Sequence, residues 1–220
     1  MMEEIKKELL NLKDDKYQKF AASINPDVKN LLGIRIPILR KLAKKILKSG
    51  YETFLKENDD EFFELTILEG FILSELDFDI KKIENFIKKI TSWAICDSFC
   101  SSCKKIKNHK KEVKALVEKY LKSSKEYEQR FCYVILLNYF LDEMDYVLEK
   151  IKLFNNESYY AKMAAAWALS YCFMKDFNKT KDFLLNNKIH PWVLKKGIQK
   201  TFDSYQITKE QKELLKKLFS

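Results

Sequence analysis

Trp93 and Asp97 stand four residues apart in the stretch TSWAICDSF. On a helix, that spacing sets an indole beside a carboxylate. The aromatic face attracts positive charge and the carboxylate stabilises it further, so the pair can hold a cationic, planar or sugar-like group. The same two residues also suit a core tryptophan with an acid near a helix N-terminus, where the helix dipole favours negative charge. Two more residues bear on the choice. Arg130 lies in YEQRF and Trp167 in KMAAAWA, and the planar fork of arginine matches phosphate oxygens. If the helices carrying them point the same way, Trp93, Asp97, Arg130 and Trp167 converge as two aromatic walls, one acid and one phosphate clamp. The plainer alternative pairs Arg130 with Glu126 or Glu128 and uses Trp167 as core filling beside Ala164, Ala165 and Ala166.

Other reactive residue types point elsewhere. Cys96, Cys100 and Cys103 follow C-x3-C-x2-C, the thiolate spacing of radical iron–sulfur enzymes. Those enzymes need strands and glycine loops, and the chain has only four glycines and three prolines. On a helix the three cysteines share a face, and a buried free cysteine behaves as a small hydrophobe. Core packing is therefore expected of them. Five cysteines in all, including Cys132 and Cys172, predict free thiols in a chain of this size. His109 and His190 have no second histidine or carboxylate at ligand spacing, so no metal is expected.

The elements that must position these residues are helices. From about Asp60 onward, apolar residues recur three and four apart between short polar joints. Helical pairs are predicted at 60–76 with 79–91, 93–106 with 108–122, 124–141 with 143–154, 157–175 with 178–187, and 191–203 with 208–219. Their first members recur every 31–34 residues or so, the signature of stacked helical hairpins. Asp60, Ser123, Asn156, Pro191 and Thr208 supply helix-start signals. Upstream, 2–13 and 14–23 read as short helices. Pro26 ends any continuous helix at Asn25, and Pro37 opens a basic helix that closes at Gly50.

Composition agrees. Of 220 residues, 46% are hydrophobic and 14% aromatic, enough for a real core. The scarcity of glycine and proline excludes sandwiches, propellers and Gly-rich nucleotide-binding folds, which need many turns. No apolar run resembles a signal peptide or spans a bilayer, so a soluble, cytoplasmic protein with no membrane partner is expected. Lys and Arg total 41 against 32 Asp and Glu, a net charge of +9. That excess favours a polyanion if it is gathered on one face. Three clusters could do so: Lys104, Lys105, Lys107, Lys110, Lys111 and Lys114; Lys41, Lys44, Lys45 and Lys48 beside Arg35 and Arg40; and Lys195, Lys196 and Lys200. Together they could track a nucleic-acid backbone. Coding bias toward lysine would explain the bulk charge equally well.

From about Tyr17 onward the chain resembles the DNA alkylation repair family, the AlkD-like glycosylases built from HEAT-like helical repeats. The likeness rests on LLGIRIP, SWAICD, EQRF and YYAKMAAAWALS, in that order and with the repeat spacing between them. It implies an all-α fold, a right-handed α-solenoid of HEAT-like hairpins, forming a single domain over residues 1–220. It also implies a DNA-binding cleft lined by Trp93, Asp97, Arg130 and Trp167. Arg35, Lys104, Lys105 and Lys162 are expected as further DNA contacts. The implied activity is excision of N3- or N7-alkylated purines from duplex DNA by a monofunctional glycosylase with Asp97 as its catalytic carboxylate, without metal or other cofactor. The implied partner is double-stranded DNA, alkylated or structurally distorted. A monomer is expected, with the charged helices 2–13 and 208–219 as end caps. One departure stands out: Ser23, Ile24, Asn25, Pro26 and Asp27 interrupt a helix that is continuous in active members. That interruption is similar to a branch with shortened N-termini that keeps the cleft residues without glycosylase activity. A catalytically inactive binder of damaged, bent or branched DNA therefore stands as the alternative. A helical scaffold for a protein partner is the third reading, and a basic groove would count against it.

Overall fold

The computed structural model describes residues 1–26 and 28–219. Asp27, in the expected interruption, and Ser220 lie outside the described residues. Among the described residues every regular element is a helix, and no helix is long and apolar enough to cross a membrane. The chain forms two compact units, Met1–Val113 and Lys114–Ser220.

The first unit contains α1 (Met2–Asn11), α2 (Asp15–Ile24), α3 (Ile36–Ser49), α4 (Tyr51–Glu57), α5 (Phe63–Glu75), α6 (Ile80–Ile87) and α7 (Trp93–Ser102). A 3-10 turn, Lys104–Asn108, leads into α8 (Lys110–Tyr120), inside which the unit boundary falls. α5 packs against both α3 and α7. It is buried nearly all round, polar Glu64, Thr66, Glu69 and Ser74 included, and Leu65, Leu68 and Ile72 are fully buried, as befits a helix walled in on both sides. The expected helix at 60–76 starts late. Asp60 adopts a left-handed φ of 54° and accepts from Asn58 and Thr66 instead of capping. α4 has no counterpart in the expected elements: Gly50, with φ of 142°, ends α3 and starts a new helix at once.

LLGIRIP is a loop fixed by one carboxylate. Glu64, 1% exposed, accepts from the backbone N–H groups of Leu32, Gly33 and Ile34 at 2.9–3.3 Å. It thereby satisfies donors that burial would otherwise orphan. Desolvation raises its pKa above the ordinary glutamate value, partly offset by those N–H groups. Gly33 sits at φ +82°, and a Cβ there would lie 2.5 Å from the Gln18 backbone nitrogen at the start of α2.

The second unit contains α9 (Glu126–Tyr139), a 3-10 turn at Leu141–Glu143, α10 (Met144–Lys152), α11 (Tyr159–Lys175), α12 (Phe177–Asn186), α13 (Pro191–Phe202) and α14 (Lys209–Phe219). α11 packs against α9 and α13. Its alanines, Ala161, Ala164, Ala165, Ala166 and Ala168, are fully buried. Gly197 of α13 carries the close approach further, since a Cβ there would stand 2.7 Å from Leu169 Cδ2 and 3.2 Å from the Ala166 carbonyl. Pro191 opens α13 as expected, and Thr208 with Gln211 makes a reciprocal capping box. Ser123 and Asn156 are not the caps; Lys125 and Ser158 occupy those positions. Asn156 instead accepts from the Ser158 N–H. All five cysteines are buried and none is in a disulfide, so Cys96, Cys100 and Cys103 pack in the core as expected. Burial pushes the thiol of Cys172 up to about 12, and those of Cys100 and Cys103 are raised as well.

Candidate nucleic-acid interface

In the first unit, Ser92 begins α7 by accepting from the Ile95 N–H, which makes Trp93 the first helical residue. α7 buries Ile95, Cys96, Phe99 and Cys100. Its remaining positions, Trp93, Ala94, Asp97, Ser98, Ser101 and Ser102, all reach water at least in part. The acid and the indole therefore share one open stripe, and neither is sealed in the core. Trp93 is also oriented: its Nε1–H donates to the Ile24 carbonyl at 2.9 Å. Ile24 is the last residue of α2, and Asn25 follows it as the C-cap, so the helix stops where Pro26 requires. The interruption thus leaves a terminal carbonyl that holds the indole.

Basic residues from distant parts of this unit meet in one groove. Arg40 and Lys44 of α3, Ser101 and Ser102 of α7, and Lys104 and Lys105 beyond it line an open cavity of about 490 Å³, with Phe71 and Glu75 of α5. Arg40 is fixed in place: Nη1 donates to Ser102 Oγ at 2.9 Å, and the guanidinium lies 4.2 Å from the Phe71 ring centroid. Two members of each of two expected clusters, Arg40 and Lys44 of one and Lys104 and Lys105 of the other, are therefore gathered on one surface. Lys104 is exposed. Lys105 is spent on structure, donating to the Glu75 and Leu76 carbonyls at 3.0 and 2.7 Å, which caps the end of α5. Arg35 stacks 4.4 Å from the Tyr17 ring centroid and pairs with Asp14 at 3.7 Å. A basic groove and two half-exposed tryptophans, Trp93 and Trp167, count against the protein-scaffold reading.

In the second unit, Arg130 is 6% exposed. Its Nη1 donates to the Tyr160 carbonyl at 3.0 Å, and the guanidinium lies 5.9 Å from that ring's centroid. α11 is buried along most of its length and reaches water on a stripe that includes Tyr160, Met163, Trp167 and Tyr171. Trp167 meets Tyr171 edge-on at 5.8 Å. Lys162 is engaged rather than projecting: it pairs with Glu157 at 3.0 Å and lies 5.4 Å from the Trp192 ring centroid. Glu157 also meets His190 Nε2 at 3.0 Å. The His190 and Lys162 contacts together hold its carboxyl below the usual glutamate range.

The expected quartet is divided between the units, Trp93 and Asp97 in the first, Arg130 and Trp167 in the second. Within each unit the members stand on water-facing stripes or against aromatic neighbours. Three features escaped sequence reasoning: the Ile24 carbonyl on Trp93, the Glu64 knot behind LLGIRIP, and the joining of Arg40 to Lys104 and Lys105. The first two are long-range backbone contacts with no local signal. The third had one, since both clusters were visible, but their adjacency depends on how α3, α5 and α7 stack. Compared with known families, residues 5–201 match the family described as DNA alkylation repair enzyme. No curated protein matches the chain.

Proposed function

Because the chain belongs to the DNA alkylation repair enzyme family, we propose that it is a monofunctional glycosylase releasing N3- or N7-alkylated purines from duplex DNA. The observation carrying this is the open stripe of α7, on which Asp97 lies one turn from an indole held by Ile24. Alkylation at N3 or N7 places positive charge on the purine and makes it a good leaving group. The C1′–N bond breaks with its electron pair going to the base, which leaves an oxocarbenium-like sugar. Asp97 stabilises that cation electrostatically and helps position the water that attacks C1′ and then loses a proton. Trp93 presents a π-face to the cationic sugar. Arg130 holds a flanking phosphate, Trp167 lies against the backbone, and the groove at Arg40, Lys44 and Lys104 supplies sequence-independent contacts. The fold that suits these roles is the right-handed solenoid of HEAT-like hairpins, acting as a monomeric DNA-binding domain.

A second reading, a non-catalytic binder of bent, branched or damaged DNA, is favoured by the end of α2 at Ile24. Release of 7-methylguanine or 3-methyladenine from alkylated duplex DNA, measured chromatographically at high enzyme concentration, separates the two. Base release by the wild type supports the glycosylase. Salt-dependent binding without release supports the binder, and no DNA affinity at low salt rules out both.

A further inference from the structure

Aromatic residues occupy the first turn of three successive core helices in the second unit. Tyr127 is the second residue of α9, Tyr159 and Tyr160 open α11, and Trp192 is the second residue of α13. The rings form a continuous row. Tyr127 stacks on Tyr160 at 5.8 Å, Tyr160 meets Tyr159 at 5.2 Å, and Tyr159 meets Trp192 at 6.1 Å. A row at a surface is unusual for rings of this size, which contribute most when buried. Tyr159 is nonetheless 56% exposed, with the planes of Tyr160 and Trp192 inclined to its own by 76° and 72°. Core packing does not account for it.

Charge says what the row is suited to. Arg130 lies 5.9 Å from the Tyr160 ring centroid and Lys162 5.4 Å from that of Trp192, so a cation stands beside each of these two rings. Carboxylates beside the row are engaged: Glu157 by Lys162 and His190, Glu126 by the Tyr160 N–H at 2.6 Å, and Glu128 by Lys125 at 3.2 Å. An aromatic row flanked by arginine and lysine has the composition of a stacking platform for unpaired nucleobases, where the rings take the base faces and the neighbouring positive charge favours a polyanion. A cationic ligand would compete with Lys162 and Arg130, and a duplex presents no free base faces to the rings. We propose that this row binds unpaired bases of single-stranded DNA, at a nick, gap or tail adjoining the duplex. The proposal rests on the nucleic-acid reading given above and names a second class of DNA structure for the protein to recognise.

The test compares three fluorescent probes by anisotropy: a blunt duplex, the same duplex with an oligothymidylate tail, and free oligothymidylate. The full-length protein should bind the tailed duplex more tightly than the blunt one, by about 5- to 150-fold per stacked base. Tyr159→Ala and Trp192→Ala should abolish that preference while leaving blunt-duplex affinity unchanged. Tyr159→Phe should retain it, and Tyr159→Leu, which keeps apolar bulk without a π-face, should lose it. No gain from the tail, or a gain that survives both alanine variants, overturns the proposal and leaves duplex recognition intact. Tail binding that disappears in the alanine variants, without any blunt-duplex binding, sustains the platform and overturns the duplex-directed function.

Discussion

Replacing Gly33 by alanine places a methyl carbon 2.5 Å from Gln18 N, 2.6 Å from Gln18 Cα and 2.7 Å from the Asp14 carbonyl oxygen. All three are backbone atoms of the first turn of α2, so no side-chain rotation relieves the clash. Holding a non-glycine residue at φ +82° costs about 1–2 kcal/mol, and forcing backbone apart in a packed region costs about 1–3 kcal/mol more. A destabilisation of about 2–5 kcal/mol follows. For a chain of this size that corresponds to a fall in melting temperature of roughly 4–20 °C. The consequence reaches the site, because α2 ends in the carbonyl that orients Trp93. Urea unfolding and thermal melting measure the first effect, and DNA affinity of the still-folded variant measures the second. A Gly33→Ala protein within about 0.5 kcal/mol of wild type would refute the steric argument, taking ordinary surface substitutions as the scale.

Burial raises the Glu64 carboxyl pKa in the folded state. The folded protein then binds more protons than the unfolded chain across the window between the two values. The associated stability is full below the unfolded pKa and is lost as pH rises through the folded one. Unfolding free energy measured against pH should show that loss in wild type and not in Glu64→Gln, and parallel profiles would contradict it. Substituting alanine for both Arg40 and Lys104 should make the slope of log affinity for duplex DNA against log salt shallower by about 0.9 for each phosphate no longer neutralised, and an unchanged slope would remove the groove from the interface. All five thiols are buried, with those of Cys100, Cys103 and Cys172 raised. A thiol reagent should therefore label none rapidly in the native protein and all of them after unfolding; fast labelling of any one contradicts the burial.

What could be seen in the sequence was whatever repeats locally. Helical periodicity located α5 to α14, because the apolar spacing of an amphipathic or buried helix is written in consecutive residues. Trp93 and Asp97 were recognisable together because i and i+4 are neighbours on any helix. The tyrosine and tryptophan row left a trace as well, in the 33-residue interval from Tyr127 to Tyr160 and again from Tyr159 to Trp192, but repeat spacing alone does not tell a surface row from a core one. The caps at Asp60, Ser123 and Asn156 misled for a common reason. Each side chain is competent to cap, but each sits two residues before the N-cap position and is spent on a local turn instead: Ser123 and Asn156 accept from the N–H two residues on, and Asp60 bonds to Asn58. Glu64 carried no signal of its own in the sequence. Its role depends on a loop about thirty residues upstream, which only packing brings to it.

The central claim is that the Asp97 carboxylate stabilises positive charge developing on the sugar, and single-turnover base release from alkylated duplex DNA by Asp97→Asn tests it most directly. Asparagine keeps the size and hydrogen-bonding capacity while removing the charge, so DNA binding should persist while release slows by about 100- to 1000-fold. Release by the variant at the wild-type rate, with binding intact, would contradict the account.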